Sequence, residues 1–431
     1  TPLYSSAASD VYKRQGINYE QQFVGNMFMP GSQSYYAFRN LSDFYNNANP
    51  VAFTYTYSLQ PDKTDANGGV YSANLNIGQA AAYIQDDINV TDRFKLTLGL
   101  RVDMPVYLEK PLENPTIKAF TFPGADGSPT NYSTGQWPSA KPVFSPRVGF
   151  RWDAMGDKSL IVRGGAGLFT GRFPFVFLTN MPSNSQMYQA NVALTTTAQL
   201  AGITFNPNTN AYRNLFPSVA GGPLPTGASP VLIDPNFKFP QVARINIAAD
   251  KRLGNGWSVT FEGIFNKDLN AIIMRNANER TPDATFLGAD NRPRYSATGN
   301  GAAALALRRL YPSLPTAIVL ENTSRGGGMQ LTAQLNKSFS KGFFATVAYT
   351  FTSMFDVTSN PGATAASVWN SNATTQTQNM QQLGWASNAI PHRFIATTGY
   401  TFKYARAFAT TITLFYDCLL YTSPSPRDRT R

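Results

Sequence analysis

Ten candidate strands of this chain come in pairs across very short turns, and in three stretches of them apolar and polar residues alternate with a period of two. In 94–102, Phe94, Leu96, Leu98, Leu100 and Val102 share one parity; Lys95, Thr97, Gly99 and Arg101 take the other, and Asp103 follows. Side chains alternate faces along a strand, so such a segment has one oily and one charged face. The split recurs in 147–154, with Val148, Phe150, Trp152 and Ala154 against Arg147, Gly149, Arg151 and Asp153. It recurs again in 329–336, with Met329, Leu331, Ala333 and Leu335 against Gln330, Thr332, Gln334 and Asn336. The pattern predicts five β-hairpins, over 80–103, 145–169, 241–265, 329–351 and 392–416. Their turns fall at Thr91-Asp92, Met155-Gly156-Asp157, Gly254-Asn255-Gly256, Ser340-Lys341-Gly342 and Lys403 to Arg406. Residues 16–27 read as one further strand, giving eleven.

The connections are lopsided. Within hairpins they are short; between hairpins they are long and polar, falling between about 30 and 144 and over about 171–238, 267–327 and 353–391. Loops of that length are uncommon unless functional. Residues 40–47 and 301–311 are expected to form short helices within them. In an antiparallel chain crossing a membrane, alternate connections lie in different compartments, so one side carries every long loop. The expected fold is therefore all-β: an antiparallel transmembrane β-barrel with short periplasmic turns and long extracellular loops. Phe94, Trp152, Trp257, Phe343, Phe402 and Phe408 all lie near short turns, where an interfacial aromatic girdle belongs. A soluble two-sheet sandwich would show the same alternation, and aromatics favour strands in any context.

Composition bounds the class. Mean hydropathy is −0.24 and 42% of residues are hydrophobic, values a barrel shares because only alternate strand residues meet lipid. No apolar run of about 18 residues occurs, which excludes a helical membrane protein. The 33 Gly and 29 Pro suit a protein of strands and turns. The formal charge is +11 but dispersed, unlike the clustered footprint of a nucleic-acid binder.

Both ends are compositionally foreign. Segments 1–15 and 418–431 resemble translated sequencing-adapter read-through, follow no strand alternation, and are set apart from the expected barrel at 16–417. Asp10, Lys13 and Arg14 contribute +1 and Arg427, Asp428, Arg429 and Arg431 +2, so +8 of the +11 remains without them. The one cysteine, Cys418, goes with them, leaving no thiolate for a disulfide or a metal site.

Four segments carry a family resemblance. Residues 80–103 resemble a hairpin in which a Tyr-x-Gln-Asp strand precedes a Leu-Thr-Leu-Gly-Leu-Arg strand. In 144–174, Ser145-Pro146-Arg147 opens one strand and the next runs into Gly171, Arg172 and Pro174. Residues 41–50 resemble a loop helix, and 388–394 a strand entry with His392, Arg393 and Phe394. Together these resemble the barrel of a TonB-dependent outer-membrane receptor of the Oar-like branch common in Bacteroidota and Acidobacteriota. The resemblance implies a bacterial outer-membrane location and a barrel of about 22 strands, of which eleven are here. It also implies a lumen plug, with its TonB box, and closing C-terminal strands that this chain lacks. Its partners would be outer-membrane lipid, a TonB-type energy-transducing complex acting through the missing plug, and a small-molecule, glycan or peptide ligand. No cofactor is implied.

Two residue sets are the candidate site. Lys95, Arg101, Arg147, Arg151, Arg163, Arg244 and Asp250 fall on the polar parity and are the expected lumen and plug-facing charges. Tyr35, Tyr36, Phe38, Phe173, Phe175, Tyr188, Trp369 and Trp385 lie in long loops and are the expected ligand contacts, because aromatics are favoured at binding surfaces. Packing of loop against loop would use the same residues. A catalytic reading has little support. The single His392 has no Gly-x-Ser-x-Gly elbow or HExxH motif beside it, and the glycine-rich 164–169 lies inside a strand. An adhesin or structural barrel, and a soluble β-rich glycan-binding protein, remain the competing readings.

Overall fold

The computed structural model describes residues 10–26, 28–59, 73–172, 174–216, 220–296, 302–405 and 407–420. Eleven long strands make one sheet. They are β1 (Asp10–Asn26), β2 (Ala73–Thr91), β3 (Phe94–Tyr107), β4 (Val143–Asp153), β5 (Leu160–Thr170) and β6 (Gln241–Gly254), followed by β7 (Trp257–Asp268), β8 (Gly327–Ser340), β9 (Phe343–Asp356), β10 (His392–Tyr404) and β11 (Phe408–Leu420). Each pairs antiparallel with the next in chain order, with no crossover. A tight turn can join only antiparallel neighbours, so the five short turns dictate this up-and-down order.

The turns have the chemistry their length demands. Asn255 and Gly256 hold φ of 49° and 76°, the left-handed pair a two-residue hairpin requires, and Lys341 and Gly342 repeat it at 49° and 86°. The Thr91 hydroxyl accepts from the backbone N–H of Phe94 at 3.0 Å, and the Asp153 carboxylate accepts from Gly156 and Lys158.

Both outer strands run further than their alternation predicts. β1 starts at Asp10 and β11 ends at Leu420, inside the segments set apart as foreign, and Arg14, Gln15 and Cys418 continue the ladder opposite Gln85, Ile84 and Phe394. The backbone ladder explains this: a strand edge offers its N–H and C=O groups to any chain in register, whatever its side chains. Segments 1–9 and 421–431 lie outside the described residues.

Register sorts the side chains onto two faces. Leu96 pairs with Phe150, Leu98 with Val148 and Val102 with Phe144; the intervening pairs are Lys95 with Arg151, Thr97 with Gly149 and Arg101 with Ser145. Burial does not follow polarity as in a water-soluble sheet. On the apolar face Ile17 is 90% exposed and Leu414 66%, whereas on the polar face Asp103 is 4% exposed and Asp87 7%, with Arg147, Arg151 and Arg244 exposed. Among the described residues no second sheet covers the apolar face. That removes the sandwich reading, because a sandwich buries its apolar face against a second sheet. Phe94, Trp152, Trp257, Phe402 and Phe408 stand on the bare face at its short-turn end.

The buried cores lie in the long connections, which all leave the sheet at its other end. One surrounds a three-stranded sheet of Tyr35–Ala37, Ala52–Ser58 and Gln189–Leu194 and buries Phe53, Tyr55, Val192 and Leu200. A second three-stranded sheet, of Ala271–Asn276, Ile318–Thr323 and Val231–Ile233, separates two further clusters. The larger adds the helices Val176–Ser183 and Ala365–Ser371 and closes on Leu75 and Ile77 of β2 and on Tyr107 of β3. These sheet residues share the parity of Gln79 and Arg101, so the connections fold over the loop end of the charged face and cap it there. Both expected loop helices form. Leu41–Tyr45 is capped by the Asn40 side chain, which accepts from Asp43 N at 2.8 Å, and the second spans Ala302–Leu307.

Candidate functional site: the charged face and its loop cap

All seven charges expected on the polar parity lie on the capped face, because cross-strand partners in register share a face. Lys95, Arg151 and Arg163 form one row across β3, β4 and β5. Like charges side by side cost free energy unless countered, and carboxylates on the same face counter two of the three. Lys95 Nζ lies 3.3 Å from Asp87, and Arg163 lies 3.0 Å from Asp250 and 3.4 Å from Glu262. Arg101 grips Asp103 through two nitrogens at 2.8 and 2.9 Å. A second row is Arg147, Gly167 and Arg244. Gly167 carries no side chain between the two guanidiniums, and both stack towards Phe169, at 4.7 and 5.9 Å. Arg244 also donates to Asn266 at 2.7 Å. Arg147, Arg151 and Arg244 have no ion pair among the described residues.

The loop aromatics scatter. Tyr35 and Trp385 are exposed, the latter with its ring 4.9 Å from Phe355. Tyr36 packs on Phe53 and Phe205, and Phe38 on Phe44. Phe175 and Tyr188 are buried, Phe175 in the largest core and Tyr188 accepting from the backbone N–H of Leu112 at 3.0 Å. Phe173 lies outside the described residues. Trp369 lines a cavity in the loop cap. Its indole N–H donates to Asn379 at 2.8 Å, which fixes the ring.

That cavity has two adjoining lobes of about 410 and 420 Å³, which share Tyr295, Arg308, Gln376 and Thr377. Sequence alternation could not find it, because its walls come from separate connections, 269–326 and 357–391. The residues missed are Arg292, Arg294, Arg308 and Arg309, with Glu279 as the carboxylate in the wall. Arg294 and Arg292 each lie 5.7 Å from the Phe286 ring centre, and Arg308 lies 5.6 Å from that of Tyr295. Arg292 is engaged by Asp290 through two hydrogen bonds, which pull the Asp290 carboxyl down to about 2. The Tyr295 hydroxyl donates to Glu279 Oε1 at 2.5 Å. Burial raises the Glu279 carboxyl above its ordinary range, and burial together with this carboxylate raises the Tyr295 phenol.

The sole histidine sits elsewhere. His392 lies on the apolar face at the loop end of β10, with Nδ1 2.6 Å from the Tyr349 hydroxyl and its ring against Phe351.

Residues 7–415 match the family model described as the outer membrane beta barrel domain. No curated protein sequence matches the chain. Similar solved structures include the FrpB iron transporter from Neisseria meningitidis, at 11% identity and a TM-score of 0.41, covering 90% of this chain and 38% of that one. The siderophore receptor PirA from Acinetobacter baumannii is similar at 10% identity and a TM-score of 0.40, covering 90% and 40%. The outer membrane transporter YddB from Escherichia coli is similar at 9% identity and a TM-score of 0.37, covering 81% and 45%. The chain thus spans less than half the length of each of these structures.

Proposed function

The chain belongs to the outer membrane beta barrel domain family and resides in the bacterial outer membrane. On that premise we propose that it forms the wall and loop cap of a receptor that takes up a scarce ligand. One observation carries this reading: the apolar face stands bare while the charged face is capped by folded loops. A wall of this kind meets lipid outside and encloses a polar interior. The loops form packed units with their own cores, suited to holding a ligand above that interior. Lys95, Arg101, Arg147, Arg151, Arg163, Arg244 and Asp250 then line the lumen, and the unpaired Arg147, Arg151 and Arg244 contact a plug.

The Oar-like resemblance supplies the finer reading. In it the chain is the barrel portion of a longer receptor, whose plug receives energy from a TonB-type partner at the inner membrane. The ligand is a small molecule, a glycan or a peptide, met first by exposed loop aromatics such as Tyr35 and Trp385. This is carriage rather than catalysis. The experiment is uptake of labelled ligands by cells carrying the full-length receptor, with and without a protonophore. Accumulation is expected only in energised cells. Equal accumulation in de-energised cells would make the protein a passive pore, and surface binding without accumulation would make it an adhesin.

The same reading fixes sidedness. Single cysteines replacing Asn255 or Asp157 in the short turns face the periplasm, and those replacing Asn208 or Ala373 in the cap face outward. An impermeant maleimide applied to whole cells is expected to label only the second pair. Surface labelling at position 255 would reverse the topology.

A further inference from the structure

The two-lobed cavity in the cap has a composition that selects one ligand chemistry. Three of its arginines come from two stretches of the 269–326 connection: Arg294 lines one lobe, Arg309 the other, and Arg308 both. Arg294 and Arg309 have no ion pair among the described residues, and the buried Nε of Arg294 has no hydrogen-bond partner. Burial also pulls the Arg309 guanidinium below its ordinary value. Removing a guanidinium from water without an anion beside it is costly, and an oxyanion in the cavity would relieve that cost. The only carboxylate in the wall, Glu279, uses Oε1 for Tyr295, while its buried Oε2 has no partner. An open carboxylate oxygen accepts a hydrogen bond from a hydroxyl. Gln376, Thr377 and Gln378 add amide and hydroxyl groups beside it, and the Trp369 ring forms part of the floor. An anion without a hydroxyl, such as sulfate, would satisfy the arginines but leave Glu279 unmet. Neutral sugars would do the reverse.

From this arrangement, and resting on the receptor reading above, we infer that the cavity binds a hydroxylated organic anion. Its carboxylate or phosphate meets Arg294, Arg308 and Arg309, and one of its hydroxyls donates to Glu279. Acidic sugars carry both groups, as sugar carboxylates or as sugar phosphates.

Binding is measured calorimetrically on the detergent-solubilised full-length receptor, with glucuronate, glucose 6-phosphate, glucose, sulfate and inorganic phosphate as probes. Quenching of Trp369, assigned by comparison with Trp369→Phe, reports occupancy of this cavity. Glucuronate or glucose 6-phosphate is expected to bind at least about ten-fold more tightly than glucose and than inorganic phosphate, and whichever is tighter identifies the oxyanion. Arg294→Gln and Arg309→Gln are each expected to weaken that probe about ten-fold or more, the loss of one charge-assisted hydrogen bond. Arg309→Lys, which keeps the charge, is expected to recover part of the affinity, so that a folding defect in Arg309→Gln is recognised. Glu279→Gln is expected to weaken the acidic sugar and not to weaken sulfate, which has no hydroxyl to donate. No binding of either acidic sugar to the wild-type receptor would overturn the inference. So would glucose binding equally well, or wild-type affinity in both glutamine variants. No energised membrane is present in this assay, so its failure leaves the uptake reading standing, and a failure of uptake leaves this result standing.

Discussion

Ile247→Arg is expected to lower the folding stability of the full-length barrel in lipid vesicles by about 2–4 kcal/mol, and Asn246→Arg by far less. Ile247 lies midway along β6 on the bare face, 51% exposed, between Gly164 and Gly263 of its neighbours. An arginine there meets hydrocarbon with no carboxylate partner in register. Asn246 is the next residue and faces the capped interior, opposite Gly165 and Ile264. Its glycine neighbour leaves room, and polar surroundings hydrate the charge. Leu98 serves less well as the apolar site, because it lies opposite Asp86 in register, and an arginine there has a carboxylate to pair with. Stability is read from urea-induced unfolding of the vesicle-inserted barrel. A lipid-soluble quencher should reach a fluorophore at position 247 and miss one at 246. Equal quenching at the two positions, or none at either, would sink the membrane assignment of the faces.

The wall was legible in the chain because its information is local. A period of two over about ten residues, a tight turn and the parity of Lys95 or Leu98 are properties of one segment at a time. The same parity placed all seven predicted charges on one face. Their carboxylate partners were only partly legible. Asp103 lies two residues from Arg101, but Asp250 reaches Arg163 only through strand order. At β1 and β11 alternation underestimated the strands, since backbone pairing carried Arg14 and Cys418 into the ladder without a matching side-chain pattern. The cap was the illegible part. Short helices such as Ala365–Ser371 give few periods to read, and its cores join residues from different connections. Phe175 and Trp369 look alike in sequence as loop aromatics; packing buries one and sets the other in a cavity wall.

That long-range assembly is itself testable at one ion pair. Arg275, on the strand Ala271–Asn276, bonds Glu321 on the strand Ile318–Thr323 at 2.5 Å, and Glu321 has only 6% of its side chain exposed. Arg275 also donates to the Pro123 carbonyl at 3.0 Å and towards the Tyr132 hydroxyl at 3.5 Å, tying in a connection from the other end of the cap. Tyr132 is 1% exposed, and burial raises its phenol to about 12, with the Glu321 charge adding to the effect. Arg275→Ala removes the only cation paired with Glu321 among the described residues and leaves a buried charge uncompensated, a change that costs about 3–5 kcal/mol. Replacing both partners, as Arg275→Met with Glu321→Leu, is expected to recover most of that loss, because an apolar pair carries no desolvation cost. The loss should fall on the cap and spare the wall, whose own ion pairs lie elsewhere. Thermolysin cleavage between 108 and 142 in the membrane-inserted protein is therefore expected to begin at a lower urea concentration in Arg275→Ala than in the wild type or the double variant, with the wall fragments still protected. Cleavage at the wild-type urea concentration in Arg275→Ala would show that the connections fold as independent units and that no shared core holds the cap together.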